Sequence, residues 1–245
     1  MTPPLGKLYG LSVGPGDPEL ITLKALKILQ ASPVISFPQG IKGRLGMAQR
    51  IAQQYFQPHQ VQLELHFPYV LEMEVLHQAW KDGARELIPY LQRGQDIAFL
   101  CEGDINFYGS FTYLAQAVQH QLPDVTIETV GGVCSPMALA SILTQPLTIR
   151  NEKLLIIPTL YHREQLAQAL TQAEVVILMK VASSYGTVWQ LLKEKNLLTR
   201  SLIIERATFP EQKIYQNLER YPDLQLNYFS ILAIFRDRAP LTYMV

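Results

Sequence analysis

The 245-residue sequence has few cysteines, no excess of either charge and no long apolar run. Its two cysteines, Cys101 and Cys134, lack C-x-x-C spacing, so we expect neither a disulfide framework nor a protein-bound metal. Twenty-one basic residues balance twenty-one acidic ones, which argues against nucleic acid or a membrane surface as a partner. No apolar run reaches the roughly 18 residues of a spanning helix, and the N-terminus lacks a signal-peptide pattern. We therefore expect a soluble, cytoplasmic protein.

Short apolar runs alternate with longer helix-like stretches through the first half of the chain. This alternation is typical of a largely parallel α/β sheet that is covered by helices on both faces. The predicted strands are 7–13, 33–37, 61–66, 96–101 and 125–130, and the predicted helices are 18–30, 45–56, 72–92 and 108–119. The first half is therefore predicted to be a five-stranded α/β domain.

The second half of the chain predicts another α/β unit, with a mixed sheet. The predicted strands are 153–158, 174–180, 201–205 and 228–235, and the predicted helices are 135–143, 164–170 and 185–195. Gly131 and Gly132 follow the fifth strand of the first half, and no low-complexity linker is present. We therefore place the domains at 1–131 and 132–245.

A glycine-rich turn, GPGDPE from Gly14 to Glu19, joins the first predicted strand to the first predicted helix. Asp17 is suited to cap that helix and Pro18 to begin it, so the turn favours helix initiation even without a ligand. A nicotinamide dinucleotide fingerprint, G-x-G-x-x-G, requires glycine at position 19 and an acidic residue at the end of the second strand. Position 19 is glutamate and the second strand ends without a carboxylate, so we exclude that fingerprint.

Three sequence blocks carry a resemblance to a known family. They are VGPGDPELITLKA at 13–25, FLCEGDINFYGS at 99–110 and VGGVCS at 130–135. The first block resembles the N-terminal signature of the tetrapyrrole methylases, the class III fold of S-adenosylmethionine-dependent enzymes. The block at 99–110 resembles that family's loop after the fourth strand, and its FYGS ending is similar to the precorrin-2 C-20 methyltransferases in particular.

The resemblance implies two α/β domains with an active-site cleft between them, S-adenosyl-L-methionine as methyl donor, and a homodimer. It also implies methyl transfer to C-20 of precorrin-2 or its cobalt form, and the sequence does not say whether the substrate carries cobalt. No catalytic acid or base is assigned, because displacement at an activated methyl group needs alignment more than acid–base chemistry. The implied cofactor contacts are Pro15, Glu102, Gly103, Asp104, Phe107, Cys134, Ser135, Met179 and Ala207.

Several alternatives stay open at this point. Asp104 has the pattern of a helix N-cap, and Met179 and Cys134 have the pattern of core residues. The chain departs from the family at 105–106, 131 and 182–184. These departures leave room for a methylase acting at another tetrapyrrole position, such as a uroporphyrinogen-III methyltransferase, or for a non-catalytic binding protein. Ribosomal RNA and diphthine methyltransferases share the fold, although the balanced charge argues against RNA.

The substrate's acetate and propionate groups call for cationic partners. Lys42 and Arg44 are the predicted ones, because they lie in a glycine-flanked loop after the second strand, at the edge where α/β sheets collect ligands. The alternative is a solvated surface loop, since lysine and arginine are ordinarily exposed. Arg150, Lys153 and Arg206 are weaker candidates of the same kind.

Overall fold

The computed structural model describes residues 4–40, 44–68, 70 and 72–240. The chain divides between Cys134 and Ser135 into two compact units, hereafter the first and second units. This division lies three residues beyond the boundary at 131/132 that the glycine pair indicates.

The first unit is built on a five-stranded parallel sheet with the strand order β3-β2-β4-β1-β5. The sequence prediction of five parallel strands is confirmed, and each strand lies within two residues of its predicted ends. In chain order the elements are β1 (Leu8–Ser12), α1 (Leu23–Ala31), β2 (Val34–Pro38), α2 (Met47–Ala52), β3 (Val61–Leu65), α3 (Met73–Gln92), β4 (Ile97–Cys101), α4 (Phe111–Gln121) and β5 (Ile127–Val130).

One part of the first unit's core lies between the sheet and helices α3 and α4, and buried residues of α1 and α2 line the other part. Ala84, Leu87 and Leu91 follow the helical repeat on α3 and are fully buried, so that face packs on the sheet. The Phe99 ring of β4 stacks on the Phe111 ring of α4 with 5.5 Å between centroids. A Cβ at Gly10 would lie 2.5 Å from the Phe111 ring, so a glycine in β1 lets α4 approach the sheet.

The prediction of one continuous helix at 18–30 is wrong. Residues Pro18–Leu20 form a 3-10 turn, which the Asp17 side chain caps by accepting from the Glu19 amide at 2.9 Å. Ile21 is extended, and Thr22 then caps α1 by accepting from the Ala25 amide at 3.3 Å. Two successive capping residues therefore split the helical stretch, although Asp17 and Pro18 have their predicted roles at its start.

The second unit contains a mixed sheet with the strand order β6-β7-β10-β8-β9. Strands β6 and β7 are parallel, whereas β10 runs antiparallel to both β7 and β8, so the predicted mixed sheet is confirmed. The elements are α5 (Ser135–Ile142), β6 (Leu154–Ile157), α6 (Arg163–Gln172), β7 (Val175–Met179), α7 (Tyr185–Glu194), β8 (Ser201–Glu205), β9 (Lys213–Gln216) and β10 (Ser230–Phe235).

Strand β9 was not predicted from the sequence, and its presence makes the sheet five-stranded rather than four-stranded. Strand β9 is an edge strand that pairs antiparallel with β8, and three of its four side chains are exposed. The residues of β9 show little apolar patterning, because this strand is defined by its backbone pairing with β8 and not by burial of its side chains. Within the ranges that the structure describes, no helix is long and apolar enough to cross a membrane.

Candidate functional site

The loops that follow β1 and β4 are joined at the carboxyl edge of the first unit's sheet. Gly103 donates its amide to the Gly14 carbonyl oxygen at 2.7 Å, and Gly14 donates to the Gly103 carbonyl oxygen at 3.2 Å. Both residues have left-handed backbones, with φ of 78° at Gly14 and 68° at Gly103. Glycine adopts this conformation at the least cost, so the joint favours glycine at both positions.

Gly103 also borders open space. No described heavy atom outside its immediate neighbours lies within 4 Å of the position that a Cβ would take at Gly103. At Gly14, by contrast, a Cβ would lie 3.3 Å from the Cβ of Leu20. A ligand can therefore approach the backbone of Gly103 closely, which is the role that the resemblance implies for it.

The Asp104 carboxylate connects two loops. One oxygen accepts from the Asn106 amide at 2.9 Å, and the other accepts from the Gly132 amide at 2.7 Å. The interpretation of Asp104 as the cap of the following helix is wrong, because α4 begins at Phe111 with Ser110 at its N-cap position. Asp104 instead holds the loop after β5 against the loop after β4, and its predicted contact with the cofactor stays a prediction.

Ser12, the last residue of β1, connects the end of β5 to the loop after β4. Its hydroxyl donates to the Val130 carbonyl oxygen at 2.7 Å and accepts from the Ile105 amide at 2.8 Å. A Cβ at Gly132 would lie 2.4 Å from the Cβ of Ser12, so glycine is needed there for close contact. The sequence analysis did not single out Ser12 or Gly132 as site residues. A small polar residue ending an apolar strand was the available signal.

The remaining predicted residues of the first unit lie on these same loops. Pro15 is half-buried directly after Gly14, Glu102 is exposed directly before Gly103, and half-buried Cys134 ends the unit. Phe107 is half-buried, with its ring in edge contact with that of Tyr108 at 4.7 Å. The structure thus brings the predicted residues of this unit to adjoining loops at one edge of the sheet.

The Cys101 thiol points into the core behind these loops. Burial, together with the negative charges of Glu102 and Asp104, raises the pKa of the Cys101 thiol to about 12. The thiol is therefore protonated at neutral pH and is not a nucleophile. No group of three or more His, Cys, Asp or Glu residues in the described parts of the chain is arranged to hold a metal ion.

The predicted residues of the second unit lie near one apolar cluster. Ala207 is buried in this cluster, and Met179 packs partly buried against it. Ser135 is the first residue of α5, whose Leu139 belongs to the same cluster. Met179 is the last residue of β7, and the residue after it, Lys180, has a left-handed backbone with φ of 54°.

The predicted carboxylate-binding residues are placed only in part. Lys42 lies outside the described residues, and Arg44 is exposed. A Cβ at Gly40 would lie 1.8 Å from the Arg44 carbonyl oxygen, and one at Gly46 would lie 2.2 Å from the Pro38 carbonyl oxygen. Both glycines therefore allow the backbone segments at the base of the loop to approach each other closely.

Of the weaker cationic candidates, Arg206 lies 3.9 Å from Glu211 in an ion pair. Arg150 and Lys153 are exposed. None of these observations assigns a substrate contact to the three residues, and their roles stay predictions.

Comparison with known proteins extends the similarity over nearly the whole chain. The chain is 31% identical over 230 residues to the cobalt-precorrin-2 C(20)-methyltransferase of Salmonella typhimurium, covering 94% of this chain and 96% of that protein. It is 27% identical over 244 residues to the precorrin-2 C(20)-methyltransferase of a Sinorhizobium species, covering 96% and 98%.

A solved structure shares the fold. The uroporphyrin-III C-methyltransferase of Thermus thermophilus, complexed with S-adenosylhomocysteine, superimposes with a TM-score of 0.64 at 21% identity, covering 94% of this chain and 92% of that one. The family model of the Tetrapyrrole (Corrin/Porphyrin) Methylases matches residues 7–221. A match of this extent shows that the chain belongs to the tetrapyrrole methylases.

Proposed function

We propose that this chain transfers a methyl group from S-adenosylmethionine to C-20 of precorrin-2 or of its cobalt form. The observation that carries the proposal is the 31% identity to the Salmonella cobalt-precorrin-2 C(20)-methyltransferase over 94% of this chain. The similarity spans both units and is not confined to the blocks around the glycine joint. It therefore supports a shared substrate as well as a shared cofactor.

The first unit fits the cofactor at the open side of Gly103. The free space beside this left-handed glycine leaves room for a small ligand against its backbone, because no side chain occupies that position. Pro15 and Cys134, on the adjoining loops, are proposed to contact the cofactor there together with Glu102, Asp104 and Phe107. S-adenosylmethionine supplies a methyl group on a positively charged sulfur, so the leaving group is already activated.

We extend the proposal to the second unit's residues Ser135, Met179 and Ala207. Their properties suit the less polar part of the cofactor: Met179 is adaptable and apolar, Ala207 is small, and Ser135 offers a hydroxyl. The shared apolar cluster of Met179 and Ala207 supports a common role for these two residues. Ser135→Val tests the hydroxyl, because it removes the proposed hydrogen bond to the cofactor while keeping a compact side chain.

The protein's contribution to the reaction is orientation and the exclusion of water, with no acid or base strongly required. The pKa of the Cys101 thiol, raised to about 12 by burial, argues against this residue as an intermediate methyl acceptor. In direct transfer the bond from C-20 to the methyl carbon forms as the sulfur–methyl bond breaks, S-adenosylhomocysteine leaves, and the C-20 proton is then lost, for which water is a sufficient acceptor. The chain then has to hold the donor and the acceptor in line.

The substrate's carboxylates are proposed to pair with Lys42 and Arg44. A guanidinium and an ammonium group on one loop offer both bidentate and point-charge contacts to carboxylates. Homodimerisation is a further part of the proposal, drawn from the family resemblance. Light scattering on the purified chain measures it directly.

The proposal is tested by an anaerobic assay with methyl-labelled S-adenosylmethionine and three acceptors. These are precorrin-2, cobalt-precorrin-2 and uroporphyrinogen III. We expect label in one or both of the first two acceptors and none in the third. Transfer to uroporphyrinogen III alone would assign the chain to a different methylation step, and transfer to none of the three would contradict the proposal.

A further inference from the structure

The loops after β4 and β5 are not held together by the sheet. In the strand order β4-β1-β5, strand β1 lies between them, so no ladder hydrogen bonds join these two strands. Two intervals between neighbouring strands separate them by about 9.6 Å. Both loops carry predicted cofactor contacts, Gly103 on one and Cys134 on the other. Pairing with β1 fixes the strand ends, but beyond them the two loops need side-chain contacts to hold them to each other.

Ser12 occupies the place from which both loops can be reached. It ends β1, the strand between them, and its side chain is 0% exposed. Its hydroxyl bonds the Val130 carbonyl oxygen at 2.7 Å on one side and the Ile105 amide at 2.8 Å on the other. A hydroxyl has a single proton to donate, so these two bonds fix its orientation.

The space next to the Ser12 side chain is also restricted. A Cβ at Gly132 would lie 2.4 Å from the Cβ of Ser12 and 3.3 Å from the Gly103 carbonyl oxygen. Gly132 is also held by the Asp104 carboxylate, which accepts from its amide at 2.7 Å. The backbone at Gly132 is thus confined between the Ser12 side chain and the loop that carries Gly103.

We infer that Ser12 is a positioning residue for the methyl-donor site. Its hydroxyl ties the end of β5 to the loop after β4, and its Cβ packs where the loop after β5 begins, so that the backbone around Gly103 and Cys134 is preformed for the donor. This inference rests on the proposed function, because it takes these loops to hold S-adenosylmethionine. Ligand affinity depends on such preformed geometry, since a loosened site must be ordered again when the ligand binds.

The test is calorimetric titration of the full chain with S-adenosylhomocysteine, in wild type, Ser12→Ala and Ser32→Ala. Ser32 is the matched control, because it is 2% exposed in the same unit and its hydroxyl donates to the Ile28 carbonyl oxygen at 2.8 Å at the end of α1. We expect Ser12→Ala to raise the Kd at least tenfold, about 1.4 kcal/mol. Ser32→Ala should stay within about twofold of wild type.

A second variant separates the hydroxyl from the space it fills. Ser12→Gly combined with Gly132→Ala places a Cβ on the other side of the contact, 2.4 Å from where the Ser12 Cβ lay, and removes the hydroxyl. Gly132 does not have a left-handed backbone, and once the Ser12 side chain is removed the nearest contact of the new Cβ is the Gly103 carbonyl oxygen at 3.3 Å. We expect this double variant to bind S-adenosylhomocysteine as weakly as Ser12→Ala does. The double variant also keeps the contact filled in case Ser12→Ala alone fails to fold.

The kinetic readout distinguishes positioning from a general loss of stability. In Ser12→Ala the KM for S-adenosylmethionine should rise with the Kd, whereas the KM for the tetrapyrrole should stay within about twofold of wild type. Wild-type affinity in Ser12→Ala, or in the double variant, would overturn the positioning role and leave the proposed function intact. Absence of binding by wild type itself would instead overturn the proposed function, and the positioning role with it.

Discussion

Replacing Gly103 by alanine tests whether the open space beside it belongs to the cofactor. The φ of 68° puts the backbone in the left-handed region, where a side chain costs about 1–2 kcal/mol of stability. No described protein atom would clash with the new Cβ, since the nearest lies beyond 4 Å. The added methyl group therefore strains the backbone slightly within the protein, and its main effect is to fill space on the side where we place the ligand.

Gly94→Ala is the matched control, because Gly94 has a φ of 75° and lies just after α3, where its amide donates to the Leu91 carbonyl oxygen at 3.0 Å. Urea denaturation should give both variants a similar loss of stability, about 1–2 kcal/mol. Titration with S-adenosylhomocysteine should show at least a tenfold loss of affinity, about 1.4 kcal/mol, in Gly103→Ala only. Wild-type affinity in Gly103→Ala would refute the placement of the ligand.

Three further changes follow from the described contacts. Ser36 is fully buried, and its hydroxyl has no hydrogen-bond partner among the described residues. In urea denaturation, Ser36→Ala should therefore leave the stability unchanged or raise it by up to about 1 kcal/mol. A clear loss of stability would show that the hydroxyl is bonded. Burial raises the pKa of Glu152, but hydrogen bonds, chiefly from Arg238, outweigh burial and lower this pKa. The ion pair therefore stabilises the fold above the unfolded pKa of Glu152, and this stabilisation is lost as the pH falls through the folded pKa. Arg238→Met should therefore show a smaller loss of stability than wild type as the pH is lowered from about 7 to about 3, and equal losses would contradict this linkage. The double variant Lys42→Ala with Arg44→Ala should raise the KM for precorrin-2 and keep the cofactor affinity nearly unchanged. Unchanged kinetics at both low and high salt would show that this loop is solvated surface without a substrate contact.

The sequence predicts the sheets well because their central strands are buried. In β1, β4 and β7 the apolar runs are long enough to mark the strands without knowledge of their partners. Strand β9 escapes prediction because its side chains are mostly exposed and its pairing with β8 defines it. Strand β3 is also a mostly exposed edge strand, but its five residues alternate apolar and polar side chains, whereas the four residues of β9 do not alternate.

The candidate site is predictable where a backbone requirement leaves a trace in residue type. Gly103 is such a position, because its left-handed backbone calls for glycine. Asp104 and Ser12 are different, since their partners are backbone groups of loops far away in the sequence. A residue pattern cannot identify such partners, because any amide or carbonyl group offers the same bond. Their role emerges only when β1, β4 and β5 are set side by side.

The position of the transferred methyl group tests the central claim most directly. The purified chain is incubated without oxygen with precorrin-2, in parallel with its cobalt form, and with S-adenosylmethionine labelled with carbon-13 in the methyl group. Carbon-13 NMR of the product should show a single labelled methyl group, bonded to C-20. A labelled methyl group at any other carbon of the macrocycle, or no incorporation from a chain that binds S-adenosylhomocysteine, would contradict the proposed function.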